Sequence, residues 1–221
     1  APPALPPAAA GPAATGPDLI LISCDTLRAD VLDDPSLELP HLRELRDRGT
    51  WAPYAVAASS STRPNHLTML SGLSAFAHAV VDNQWKMAGD VRLVSQRFRE
   101  AGWRTAAVVS NAMISARSGF DRGFEVFDET PIVRRHFRNE DLAESPFALG
   151  HFLRPAKKGT WPGWLGLLGD DAQELILVRW KGLPPNQGNG GFTLERARGY
   201  LQELQAGEAP YFFFLHLMDP H

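Results

Sequence analysis

Apolar positions along this 221-residue chain fall into short runs separated by amphipathic stretches, the rhythm of strands alternating with helices. Leu19 to Cys24 is a continuous, partly β-branched apolar run and predicts a strand buried on both faces. "LPHLRELRDR", residues 39–48, predicts a helix stopped by Gly49. Residues 64–71 predict a second helix, with Pro64 at the tolerated first position and Gly72 just past the end. In "VRLVSQRFREAG", apolar residues at 91, 93, 94 and 98 predict an amphipathic helix closed by Gly102. "RTAAVVS" reads as a strand. Farther on, Thr193 is placed to cap the helix "LERARGYLQELQA", which Gly207 ends, and the aromatic "YFFFLHL" reads as a last strand.

Strands alternating with helices imply βαβ units, hence an α/β fold with a mostly parallel central sheet and helices on its faces. Residues from about 130 to 190 break the rhythm. They place Trp161, Trp164 and Trp180 among Gly and Pro and end in "PPNQGNGG", which predicts an insertion or cap on the main domain of residues 18–221. Residues 1–17, "APPALPPAAAGPAATGP", have too little apolar bulk to fold and predict a disordered linker. Such a segment suits a tether left after removal of a signal peptide or membrane anchor, and equally an arbitrary boundary. The chain halts at "LHLMDPH", straight after a strand-like run, so the domain is expected to continue past His221 and this chain alone to be inactive.

Composition narrows the classes. A hydrophobic content of 44% and a charged content of 21% are ordinary for a globular protein. A net charge of -3 argues against nucleic acid as a partner, and no apolar run approaches a membrane span. The one cysteine, Cys24, excludes an internal disulfide framework.

In parallel sheets ligands collect beyond the carboxyl ends of the strands. Three predicted strands deliver polar residues there: Asp25 after the first, Ser110 and Asn111 after the second, Asp219 and His221 after the last. Between them "SSSTRPNHLTMLSG", residues 59–72, puts four hydroxyls before a helix whose N-terminal N–H groups can face an anion. An anion site beside a carboxylate suggests metal-assisted ester chemistry. A haloacid-dehalogenase-like phosphatase needs Asp-x-Asp here, and the run is Asp25-Thr26-Leu27.

These residues carry a resemblance. "ISCDTLRAD" is similar to the first metal-binding strand of the sulfatase-like branch of the alkaline phosphatase superfamily, and "TRPNHLTMLSG" to its nucleophile motif. "GWRTAAVVSN", "GFDRGFEVFD" and "FFFLHLMDPH" resemble later landmarks in the same order. The resemblance implies an alkaline-phosphatase-like three-layer α/β/α fold, of which this chain carries the N-terminal part. It implies a divalent cation (Ca, Mn, Zn or Mg) held by Asp25 and Thr62, with further ligands beyond residue 221. Thr62 takes the nucleophile position, His66 stands where many sulfatases have Arg, and His221 contacts substrate oxygens or protonates the leaving group. Arg63, Asn111, His216 and Asp219 are weaker substrate-binding candidates. The substrate implied is an anionic phosphate or sulfate ester, and the location is periplasmic, secreted or membrane-tethered.

Two departures qualify the sulfatase side of the resemblance. True sulfatases oxidise Cys or Ser to formylglycine, and threonine cannot give that aldehyde, which favours phosphoesters. The family's "GKWH" lysine is replaced by the region of Ser110 and Asn111. Bland readings stand beside the functional ones: Asp25 as a turn cap, Thr62 as an N-cap with Ser61 its rival as nucleophile, His216 as a core histidine, Arg28 paired with Asp30. The competing function is a degenerate relative that binds an anion without turnover.

Overall fold

The computed structural model describes residues 4–7, 14–131 and 190–218. Four strands, β1 (Leu19–Cys24), β2 (Arg104–Val108), β3 (Val126–Asp128) and β4 (Tyr211–Leu217), form one sheet in the order β1-β4-β2-β3. Every pairing is parallel. The aromatic run expected as a strand is therefore the interior strand β4. Its alternation feeds two cores: Phe212 and Phe214 point to one face, Tyr211, Phe213 and Leu215 to the other. Bulky rings fit there because their partners in register on β2 are small, Ala106 opposite Phe213 and Ala107 opposite Phe214.

The first face is covered by α2 (Thr62–Ser71) through Leu67 and Leu70, with Leu93, Ile114, Phe120 and Phe124, and by α4 (Val94–Glu100) through Val94 and Phe98. The second is covered by α5 (Gly190–Gln205) through Ala197, Tyr200 and Leu204. These are the three layers expected, and the topology explains them. The chain moves across the sheet from β1 to β2 with helices on one face and returns from β3 to β4 with α5 on the other. Right-handed crossovers require that switch of faces. Two ion pairs lock the β3 side: Arg104 with Glu125 at 2.7 Å, and Arg196 of α5 with Asp128, both partners of the second largely buried.

Several expectations need correction. β1 is not buried on both faces: it is the end strand of the described sheet, and Ile22 is 53% exposed because no described element covers it. The helix over 39–48 exists as α1 (Pro40–Arg48) but buries none of its residues. α2 starts two residues earlier than Pro64, which sits at its third position; the first four N–H groups of a helix have no internal acceptor, so a proline there forfeits no bond. Thr193 lies inside α5 and is fully buried instead of capping it. β3 and the single turn α3 (Ala75–His78) were too short for periodicity to reveal. Within the predicted linker, Leu5 packs against the second core and Pro6 accepts a hydrogen bond from Arg104. The predicted insertion lies almost wholly outside the described residues.

Two glycines separate backbone strain from steric clash. Gly72 closes α2 at φ 72°, with open space where a Cβ would project. Gly123 has φ 85°, and a Cβ there would run into the backbone of Ser95 and Gln96. Gly72→Ala should therefore cost only the left-handed strain, about 1–2 kcal/mol. Gly123→Ala should add overpacking, for about 2–5 kcal/mol in all. Urea unfolding of both variants checks this, and equal losses would contradict it.

Candidate active site

Asp25 follows β1 directly, and its N–H continues the ladder to the Leu217 carbonyl at 2.9 Å. The carboxylate is thereby fixed at the carboxyl ends of the strands. Thr26 comes next at φ 59°, a left-handed conformation costly for a β-branched residue. The chain thus turns abruptly just after the carboxylate, the kind of strain that surrounding structure must hold in place.

Three side chains from three other segments converge on one oxygen, Asp25 Oδ2. The Thr62 hydroxyl donates to it at 3.1 Å, the Asn111 amide at 3.3 Å, and His216 Nε2 lies 3.3 Å away. Asn111 also reaches the Met218 sulfur at 3.1 Å. The His216 bond, helped by the Thr62 hydroxyl and by the charges of His216 and His66, pulls the Asp25 carboxyl down to about 2 although burial opposes this. Asp25 is therefore a fixed negative charge and a weak base. His216 is wholly buried, and its Nδ1 has no hydrogen-bond partner among the described residues. Ser110 secures that strand end by donating to the His216 carbonyl at 2.9 Å.

Thr62 is the first residue of α2, after Ser61, whose side chain makes no cap bond. The hydroxyl run serves the turn only through Ser59, which accepts the Ser61 N–H at 3.1 Å. The first turn is braced from outside instead: Asn83 Oδ1 accepts the Arg63 N–H at 2.8 Å. His66 is 2% exposed, with Nδ1 2.7 Å from the Thr62 carbonyl and Nε2 2.8 Å from Ser23 Oγ. Its ring meets that of His216 edge-on at 4.9 Å.

The other candidates separate. Arg63 spends its guanidinium on protein acceptors: the carbonyls of Asn83, Met113 (3.2 Å) and Trp85 (2.9 Å) and the Ser118 hydroxyl (3.0 Å). It pins loops and leaves the Asp25–Thr62 pair alone. Asp219 and His221 lie outside the described residues. His78 is buried beside Thr68 of α2 at 3.0 Å, and Arg28 pairs with Asp30 on the surface. Ser23 and Asn83 were not foreseen. Ser23 had a faint signal, a lone hydroxyl in an apolar strand two positions before Asp25 and so on the same face; Asn83 had none.

As a cation site, the side-by-side carboxylate and hydroxyl are hard oxygen donors of the kind that suits Mg, Ca or Mn and is acceptable to Zn. Among the described residues no three of His, Cys, Asp and Glu gather closely enough to enclose an ion. Asp25 and Thr62 thus fit as part of a site.

The fold is an alkaline-phosphatase-like α/β fold, and the polar cluster lies at the carboxyl ends of its strands. A phosphonate monoester hydrolase of Agrobacterium radiobacter has a similar structure, with TM-score 0.58 at 17% identity over 93% of this chain and 41% of that one. Residues 19–127 match the type I phosphodiesterase / nucleotide pyrophosphatase family. A venom phosphodiesterase of Naja atra is 34% identical over 89 residues, which is 38% of this chain and 11% of that protein. The ectonucleotide pyrophosphatase/phosphodiesterase family member 3 of Mus musculus is 37% identical over 68 residues, 30% of this chain and 8% of that protein. The match thus spans about a tenth of these curated relatives. The superfamily resemblance read from the motifs agrees with these findings; the relatives named are a phosphodiesterase, a pyrophosphatase/phosphodiesterase and a phosphonate monoester hydrolase rather than sulfatases.

Burial, with His216 alongside, lowers His66 to about 4. The unfolded chain protonates this histidine below about 6.5 while the native state does not until about 4. Between those values the unfolded state binds more protons, so stability falls as pH falls. The loss from this residue should approach about 3 kcal/mol across that window, and Asp25 adds more below pH 3.8. Denaturant unfolding from pH 7 to 4 should show the slope in wild type and a flatter one in His66→Asn; identical slopes would remove His66 as its source.

Proposed function

We propose that the protein is, or forms part of, a metal-dependent phosphoester hydrolase that uses Thr62 as nucleophile. The observation that carries this reading is the 3.1 Å hydrogen bond from the Thr62 hydroxyl to Asp25 Oδ2, which joins residues 37 positions apart at the strand ends. A threonine hydroxyl is a poor nucleophile at neutral pH and needs an electrostatic partner. Asp25 and Thr62 would hold the cation, with donors beyond the described residues. When bound, it would lower the hydroxyl's pKa and offset charge building on the phosphoryl oxygens.

The chain's own residues then divide the work. Asp25 orients the Thr62 hydroxyl, and its lowered pKa keeps it charged for cation binding at any physiological pH. Asn111 and His216 fill Oδ2 from the other sides and stop the carboxylate from rotating. The N-terminus of α2 adds a partial positive charge, worth about 0.3–1 kcal/mol where exposed. Thr62 Oγ1 would bond to phosphorus as its proton passes to solvent and the P–O bond to the ester oxygen breaks; a water oxygen would then bond to phosphorus, the Oγ1–P bond would break, and a proton from that water would return to Oγ1. His221 remains the proposed proton donor to the leaving group, and Asp219 a proposed substrate contact.

Phosphoesters are favoured over sulfate esters because Thr62 cannot become formylglycine, and the named relatives point the same way. We also propose an extracytoplasmic location, supported by the "ecto" in a relative's name; among the described residues no helix is long and apolar enough to cross a membrane.

The test is turnover of an aryl phosphodiester and an aryl sulfate, with Mn²⁺, Ca²⁺, Zn²⁺ or Mg²⁺, by the full-length protein. Thr62→Ala and Asp25→Asn should each cut phosphodiester turnover by at least about a hundredfold. Asp25→Asn should also lose bound metal. Mass spectrometry of the Thr62 peptide should find unmodified threonine. Unchanged turnover in Thr62→Ala would remove Thr62 as the nucleophile, absence of metal-dependent turnover in the wild type would favour the anion-binding alternative, and faster sulfate turnover would reverse the substrate ranking.

A further inference from the structure

We propose that Ser23 and His66 are positioning residues: a brace that ties the backbone of Thr62 to strand β1 and so sets where its hydroxyl points. The inference rests on the reading of Thr62 as nucleophile and reassigns His66, which the resemblance placed among the catalytic residues.

The geometry fixes each proton. The Thr62 carbonyl can only accept, so His66 Nδ1, 2.7 Å away, carries the hydrogen. In the neutral ring Nε2 then accepts, and Ser23 Oγ at 2.8 Å donates. Both ring nitrogens are occupied, and neither meets the Thr62 hydroxyl or open solvent. A ring so placed has no free nitrogen with which to take a proton from Thr62 or give one to a leaving group.

Such a brace has a reason to exist. Thr62 is the first residue of α2, and helix ends fray. A carbonyl has two lone pairs, so the ring bond adds to the helix's own bond without replacing it. Asn83 and Arg63 pin the neighbouring residue to loops. The His66–Ser23 pair leads back into β1 itself, and it arrives two residues before Asp25 on the same face. The contacts close a ring: Asp25 Oδ2 to the Thr62 hydroxyl, the Thr62 carbonyl to His66, His66 to Ser23, and one dipeptide step back to Asp25. The separation of carboxylate and hydroxyl is therefore held from two sides, and about 1 Å of misplacement in a reacting group can cost about a hundredfold in rate.

The test compares Ser23→Ala, His66→Asn, His66→Leu and Thr62→Ala in the full-length protein, with an aryl phosphodiester and Mn²⁺. Ring ¹⁵N spectra and melting temperature are recorded for each. Ser23→Ala should lower kcat about tenfold with KM within twofold, and its melting temperature should stay near wild type. His66→Asn, whose amide can keep the donation to the Thr62 carbonyl, should retain more kcat than His66→Leu. The wild-type His66 ring should be protonated at Nδ1. Wild-type kcat in Ser23→Ala while Thr62→Ala is inactive would overturn the brace, as would a change confined to KM. If Thr62→Ala keeps its activity, the nucleophile reading fails instead. The spectra then decide: an Nδ1-protonated ring that shifts in Ser23→Ala supports the brace, and an Nε2-protonated ring overturns it.

Discussion

The seven residues of β4 are paired in parallel to β1 on one edge and to β2 on the other, and that double register decides which side chains meet at the strand ends. Ser23 lies opposite His216, and Cys24 opposite Leu217, which carries Asp25 to the His216 side chain. On the far edge Val108 lies opposite Leu215, so Ser110 and Asn111 emerge beside the same strand end. A slip of one residue would turn Phe212 and Phe214 to the wrong core and carry His216 off Asp25. The aromatic packing that fixes the register is thus also what assembles the polar cluster, and the two cannot be varied independently.

At that cluster one carboxylate oxygen organises its surroundings. Oδ2 of Asp25 receives donors from α2, from the loop after β2 and from β4 itself. A buried carboxylate without donors would rise in pKa and lose its charge; with these three it is held ionised. Desolvation raises the cost of removing any donor, since an unpaired charge is then left half-buried. The cluster is high in stakes for stability as well as for the proposed chemistry.

Arginines do a different job here from the one their charge suggests. Arg63 gathers the carbonyls of Asn83, Trp85 and Met113, and Arg122 those of Ala88, Gly89, Val91 and Gly119. Each guanidinium offers five N–H donors, enough to satisfy loop carbonyls that no sheet or helix would take. Between them they fix the 83–91 loop against the rest of the first core. That loop in turn presents Asn83 to the first turn of α2.

Elements with a full period of apolar residues were legible in the chain: Leu19–Cys24, the segment leading through Val94–Glu100, Arg104–Val108 and Tyr211–Leu217 all form where the pattern puts them, and in all but the exposed Leu19–Cys24 patterning and burial demand the same thing. The pairing of a carboxylate after the first strand with a hydroxyl at a helix start was legible too, since both are tied to element ends that punctuation residues mark. What the chain left open is whatever depends on partners distant in sequence. Exposure of β1 depends on what flanks it, and β3 is three residues whose strand character comes from pairing with β2. The burial of Thr193 and the roles of Arg63, Ser23 and Asn83 depend on acceptors or donors 20 to 55 residues away or on packing from other elements. Local sequence determines where a side chain sits along its own element; only the packed sheet decides which groups it faces, and a polar side chain's role is set by those groups.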